Sequence, residues 1–111
     1  MKVHRHFGLG FPEAIYKRAL MLELEKEGIN FKSEVEKNIY YEGYFIGKRR
    51  LDLVVEDKIL VELKAISVID NSCLNQLLNY LKIFGIEVGL LLNFGAGSLQ
   101  SKRLVSTVNN P

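Results

Sequence analysis

The fold is decided by Arg49-Arg50-Leu51-Asp52-Leu53-Val54-Val55-Glu56-Asp57-Lys58-Ile59-Leu60-Val61-Glu62-Leu63-Lys64. Two apolar, β-branched runs flank a short charged segment, the pattern of a β-hairpin. Three charges break the apolar pattern: Asp52, Glu62 and Lys64. Side chains alternate along a strand, so Glu62 and Lys64 share a face with Leu60, while Ile59, Val61, Leu63 and Ala65 share the other. The face of Asp52 depends on register. A three-residue loop, Glu56-Asp57-Lys58, sets Asp52 opposite Glu62; a two-residue loop, the commoner kind, sends it to the other face. In the first case the carboxylates lie roughly 5 Å apart at Cβ, with an ammonium two residues along. Like charges that close need a cation between them, so the sharp reading is a pair of carboxylates held for a divalent metal, with a lysine beside it. The bland reading is a salt-bridged sheet surface in which Lys64 neutralises Glu62.

Upstream, Phe31 to Tyr41 predicts a partly exposed strand, Glu42-Gly43 a turn, and Tyr44-Phe45-Ile46 the start of the next strand, with Gly47 marking a bulge or bend. Lys48-Arg49-Arg50 then runs into the hairpin. With Lys17-Arg18 and Lys102-Arg103 it is read either as solvated surface or as a phosphate-contacting face. Phe11-Pro12-Glu13 opens a helix that should reach about Glu27 and stop at Gly28. Glu13, Tyr16, Leu20 and Leu24 form its stripe. Glu13 is either a first-turn acid favoured by the helix dipole or a carboxylate aimed at the sheet. Met1 to Gly10 reads as a loose terminus with a glycine turn. Its His4 and His6, two apart, could ligate a metal but have no evident partner.

Downstream, Asn71 or Ser72 should cap a helix running to about Phe84 and ended by Gly85. Leu74, Leu77, Leu78, Leu81 and Phe84 make its core stripe, and Gln76 and Tyr80, four apart, project together. Ile86 to Phe94 reads as a buried strand in a parallel crossover. Ser101 to Val108 forms an edge strand, and Asn109-Asn110-Pro111 should fray. The order α, three strands, α, strand gives an α/β fold: a mixed sheet of four to five strands flanked by helices.

The 111 residues make one domain, with no repeats or linkers. Its single cysteine, Cys73, excludes an internal disulfide and a cysteine-based zinc site. A cytoplasmic, reducing location fits that cysteine, and no membrane span or signal peptide is evident. A net charge of +2 permits nucleic-acid binding without arguing for it.

Hydrolysis of a phosphodiester needs oxygen ligands for a hard cation, a group to position water, and positive charge for the anionic transition state. Asp52 and Glu62 supply the first and Lys64 the others. The backbone carbonyl of Leu63 is a further ligand, with Glu13 and Gln76 contributing if their helices pack over that face.

Beyond spacing, Gly10-Phe11-Pro12-Glu13-Ala14-Ile15-Tyr16 resembles the signature of the GxxExxY protein family. The likeness extends through Val3-His4-Arg5, Tyr40-Tyr41-x-Gly43, Asp52-Leu53-Val54-Val55, Val61-Glu62-Leu63-Lys64-Ala65, Gln76 to Leu81, and Gly89 to Gly95. That family resembles a small PD-(D/E)XK nuclease of the RecB-like branch, with a restriction-endonuclease-like αβββαβ core. The resemblance implies a nuclease using Mg²⁺ or Mn²⁺, with nucleic acid, DNA above all, as partner; homodimers occur among related folds. It implies Asp52 and Glu62 as metal ligands joined by the Leu63 carbonyl and by Glu13. It also implies Lys64 as the lysine of E-x-K, Gln76 with Tyr80 as Q-x₃-Y, and a three-residue loop. From the basic run, Lys48, Arg49 and Arg50 are the expected nucleic-acid contacts if that run is a phosphate-contacting face. Two departures stand out. Cys73 occupies a position where members often carry histidine, and the lead before Val3 is short, so part of the sheet or first helix is expected uncovered. The competing readings are a nuclease fold kept as a nucleic-acid- or protein-binding module, and a plain structural protein.

Overall fold

In the computed structural model, which describes residues 2–106, the quoted stretch forms the middle of a five-stranded sheet. The elements are α1 (Lys2–Phe7), α2 (Glu13–Lys26), β1 (Phe31–Tyr41), β2 (Tyr44–Val55), β3 (Ile59–Lys64), α3 (Asn71–Phe84), β4 (Val88–Asn93) and β5 (Gln100–Val105). The strands lie in chain order, with β3 and β4 parallel and the other neighbours antiparallel. This is a mixed sheet flanked by helices, consistent with a restriction-endonuclease-like core. Val55 pairs with Ile59, so the loop is Glu56-Asp57-Lys58 and the register that opposes Asp52 to Glu62 is the one adopted. Left-handed backbone at Glu56 (φ 53°) and Asp57 (φ 57°) makes that loop.

Both faces of the hairpin are covered. Leu53, Val61 and Leu63 pack with Tyr16 and Leu20 of α2 and with Phe94, whereas Val54 and Leu60 pack with Leu77, Tyr80 and Leu81 of α3. One step breaks the alternation. Leu51 and Leu53 should share a face, yet Leu51 belongs to the α3 side and Leu53 to the α2 side. Between them stands Asp52, opposite Glu34, and this pair is missing from the β1–β2 ladder, which is regular on both sides of it from Phe31 to Ile39. Glu34 takes φ 56°, a costly conformation for a residue with a Cβ. The β2–β3 ladder ends at the neighbouring pair, Leu53 and Val61. The sheet therefore opens at Asp52.

Three expectations need correction. Residues 2–7 form a helix, not a loose terminus, because Val3 and His4 are buried and His4 Nε2 lies 3.1 Å from the Ala96 carbonyl. Asp70, rather than Asn71 or Ser72, caps α3: its Oδ1 accepts from the Cys73 amide (3.1 Å) and the Ser72 hydroxyl (2.6 Å). These bonds favour the anion and hold its pKa down at about 2. The bulge expected around Gly47 is present beside it: Gly47 pairs with Ile39 and Phe45 with Tyr40, which leaves Ile46 as the extra residue. The last strand ends at Val105, and the expectations for residues 107–111 lie outside the described residues.

The chain after β3 is clamped to β4. Asn93, fully buried, accepts from the Ile66 and Gly95 amides and donates to the Ile66 carbonyl and Gln100. Phe94 donates its amide to the Lys64 carbonyl at 2.8 Å. These bonds fix the end of the strand that carries Lys64. On the other sheet face α2 leaves an apolar trough of about 390 Å³, lined by Leu24, Val55, Leu90 and Leu99 among others.

Candidate active site

Where β2 and β3 part, side chains replace the missing ladder bonds. The Asp52 amide donates to Glu62 Oε1 at 3.0 Å, and the Leu63 amide donates to Asp52 Oδ2 at 2.9 Å. Two carboxylates thus meet at the sheet opening, each holding a backbone N–H of the other strand and each keeping a second oxygen. Leu63 meets Asp52 through its amide, not its carbonyl.

Glu62 is 8% exposed, and its pKa is pushed up to about 8, first by burial and then by the Asp52 charge. Burial disfavours the anion, and a second carboxylate disfavours it further. The sign of the consequence follows. Folded Glu62 keeps its proton over a range where the unfolded chain, with the ordinary value of 4.5, has lost it. Stability of the metal-free protein should therefore fall as pH rises from about 4.5 to 8 and level off above. Thermal melts in EDTA across that window check this, and Glu62→Gln should remove most of the fall.

Lys64 Nζ donates to Gln76 Oε1 at 3.0 Å, and Gln76 Nε2 donates to the Tyr80 hydroxyl at 3.2 Å. The helical i, i+4 spacing makes Gln76 and Tyr80 one support that aims the lysine. Burial raises the Tyr80 pKa, with Glu62 adding to the shift, so the hydroxyl stays protonated. Glu13 opens α2 and is largely exposed, yet its carboxyl pKa is raised by partial desolvation and then by Asp52. It forms no hydrogen bond or ion pair among the described residues, but the charges of Asp52, Lys64 and Lys17 all act on it.

The glycine–glutamate–tyrosine spacing at the start of α2 has a structural reason. Gly10 takes φ 96° in the loop, and Tyr16 is buried, stacked on Phe94 at 4.7 Å. The Tyr16 hydroxyl donates to the Gly8 carbonyl. The loop and first turn are tied down one turn after Glu13.

One cation beside the carboxylates escaped the sequence reading, which had Lys17 as solvated surface or as part of a phosphate-contacting face. Lys17 is 8% exposed; its Nζ donates to Glu34 at 2.8 Å and lies 3.7 Å from Asp52 Oδ1. The available signal was its position four residues after Glu13, which puts both on one stripe. That contact also accounts for Glu34, whose lowered pKa comes chiefly from the Lys17 bond.

Of the basic run, Arg50 pairs with Glu34 (3.6 Å) and Glu36 (3.9 Å), and Lys48 with Glu36 (3.6 Å). Arg49 faces α3 instead, in a groove shared with Gln76 and Tyr80. His4 packs against Phe94 and His6 against Phe7, away from the carboxylates. No group of three or more His, Cys, Asp or Glu among the described residues is arranged as a metal cage. No helix among them is long and apolar enough to cross a membrane.

A solved structure described as "Crystal structure of SSO0001" is similar, with a TM-score of 0.64 and 24% identity over 84% of this chain and 49% of that one. That likeness shows a shared fold, and the chain spans about half the length of that protein. No curated protein matches. The model of the PD-(D/E)XK nuclease superfamily matches residues 1–104, which include both carboxylates, the lysine and every element that positions them. The chain belongs to the PD-(D/E)XK nuclease superfamily.

Proposed function

We propose that the domain hydrolyses phosphodiester bonds in nucleic acid, DNA in the first instance, with magnesium or manganese held by Asp52 and Glu62. The observation that carries this reading is the meeting of these carboxylates at the sheet opening, with Glu62 buried beside a second negative charge. The donor set fits a hard cation: it is all oxygen, and a cation would relieve the repulsion that raises the Glu62 pKa. Two carboxylates completed by water suit magnesium, which keeps much of its hydration. When bound, such an ion polarises the phosphoryl group and offsets charge developing on it.

The chain supplies the rest. Lys64 gives one N–H to Gln76 and has two left to orient a water and meet the phosphate. Water attacks phosphorus, the ester oxygen leaves with the bonding pair, and a phosphomonoester and a hydroxyl result. Glu13, with its raised pKa, is placed to hold a water or pass a proton. Gln76 and Tyr80 keep Lys64 in place; on this pair we assign the chain to the RecB-like branch, and on Gly10, Glu13 and Tyr16 to the GxxExxY family. A cytoplasmic location is part of the same reading.

Lys64→Met separates positioning from folding. The variant should melt within a few degrees of the parent, because an exposed polar contact contributes little. Its cation-dependent rise in Tm should persist, and cleavage of DNA should fall by about 10²–10⁴-fold. Undiminished cleavage would overturn the role given to Lys64. A second reading, a nuclease fold acting as a binding module, is favoured by one contact: the Lys17 ammonium already stands beside Asp52. Salt-dependent DNA binding without cleavage in magnesium or manganese would select it.

A further inference from the structure

The β1–β2 hairpin distributes its charges unequally between its faces. On one face Glu36 pairs with Arg50, and the contacts of Lys48 and Arg50 with Glu34 and Glu36 neutralise the surface. On the other, Lys37 stands directly opposite Arg49, and neither enters an ion pair among the described residues. Like charges opposed across a strand pair are unfavourable unless an anion lies over both.

That second face looks toward α3. Val35 and Leu51 at its base pack in the α3-side core, while Ile39 and Arg49 further out line a groove of about 510 Å³ against α3. The wall opposite offers Asn75, Gln76, Asn79 and Lys82, and no carboxylate lines the groove. Gln76 binds Lys64, so the groove leads to the site. At its far end the hairpin turns through Glu42-Gly43 and displays Tyr40, Tyr41, Tyr44 and Phe45, each more than half exposed. A cluster of exposed aromatics at a hairpin tip marks a contact surface.

We propose that the hairpin and α3 form a track for a single strand of nucleic acid, with phosphates over Lys37, Arg49 and Lys82 and a base stacked on the aromatic tip. The proposal rests on the nucleic-acid reading of the site and narrows its substrate. Aromatic side chains stack on the faces of bases, which an unpaired strand exposes and a duplex does not. From Asp52 to Tyr44 is eight residues of β2, about 26 Å at strand rise, so the tip meets the strand well away from the scissile bond. A paired acidic surface would repel phosphates; this face carries cations and amides.

Binding of a labelled DNA single strand, read by fluorescence anisotropy with the full chain in EDTA, tests it without cleavage. The single strand should bind more tightly than a duplex of the same sequence. Lys37→Gln with Arg49→Gln should lower the slope of log affinity against log salt by about 1.4, since each phosphate contact on a single strand contributes about 0.7. Tyr44→Ala with Phe45→Ala should weaken single-strand binding about tenfold or more and leave the slope unchanged. All four side chains are exposed, so unchanged melting shows that the variants fold. A preference for duplex, variants that bind like the parent, or displacement by polyglutamate as effective as by unlabelled strand would overturn the proposal. Failure to cleave when metal is added bears on the nuclease reading alone.

Discussion

Glu62→Gln is expected to abolish the rise in Tm that magnesium or manganese gives the parent, and to lower DNA cleavage by more than about 100-fold. Loss of a group that only supports a metal ligand already costs about 10–100-fold, and Glu62 is proposed as a ligand itself. At a cation concentration about 100 times the dissociation constant, binding stabilises the native state by about 2.7 kcal/mol. For a domain of this size that is a Tm rise of roughly 10 °C. The variant should show none of it. In EDTA above pH 8 the order reverses. Glutamine retains an oxygen for the Asp52 amide and removes a buried charge, so the variant should melt above the parent. A purely structural carboxylate would give the EDTA result alone, so the loss of the metal-dependent rise is the discriminating pattern. If the variant keeps the metal-dependent rise, the ion is bound elsewhere.

The second large effect concerns Gly95. A Cβ there would stand 2.3 Å from both the nitrogen and the oxygen of Ile66 and 2.6 Å from the carbonyl carbon of Ala65. These are backbone atoms clamped by Asn93, so no rotamer change relieves the clash. Gly95→Ala should cost at least about 3 kcal/mol, at or beyond the top of the usual overpacking range, and lower Tm by about 10 °C or more. Gly97, two residues on, has no atom within 4 Å of its would-be Cβ. Gly97→Ala is therefore the control, expected to be neutral or mildly stabilising. Equal melting of the two variants in thermal circular dichroism would refute the close-approach account. Because the same clamp fixes the strand end bearing Lys64, residual folded Gly95→Ala should also cleave poorly.

Much of the fold was legible because the decisive elements have strong local patterns. The β1 boundaries, a hairpin between Val55 and Ile59, and the α3 stop at Gly85 were written in apolar periodicity and glycine placement, whereas periodicity left the hairpin's loop length open. Asp52, Glu62 and Lys64 stood out because charge is rare in such a run. What escaped depends on contacts distant in sequence. His4 and α1 are ordered by packing on Phe94 and Ala96, ninety residues away. Lys17 resembles any helix-surface lysine until β1 and β2 bring Glu34 and Asp52 beneath it. The half-pleat rotation at Asp52 leaves no mark on the alternation of Leu51 and Leu53. Asp70 lost the cap to its neighbours on paper because Asn71 and Ser72 are equally good capping types, and only the backbone chooses among them.

The last rung of the hairpin has a dynamic consequence. The amides of Asp52 and Leu63 are held by carboxylates, which can swing about their side-chain bonds, whereas the rungs at Leu53 to Val61 are closed by backbone carbonyls. Those two protons should exchange with solvent deuterium faster than their neighbours in the same strands, each opening without loosening the sheet. They are built-in reporters: anything that draws Asp52 or Glu62 toward a ligand changes how often these amides are released, even where the sheet itself stays still.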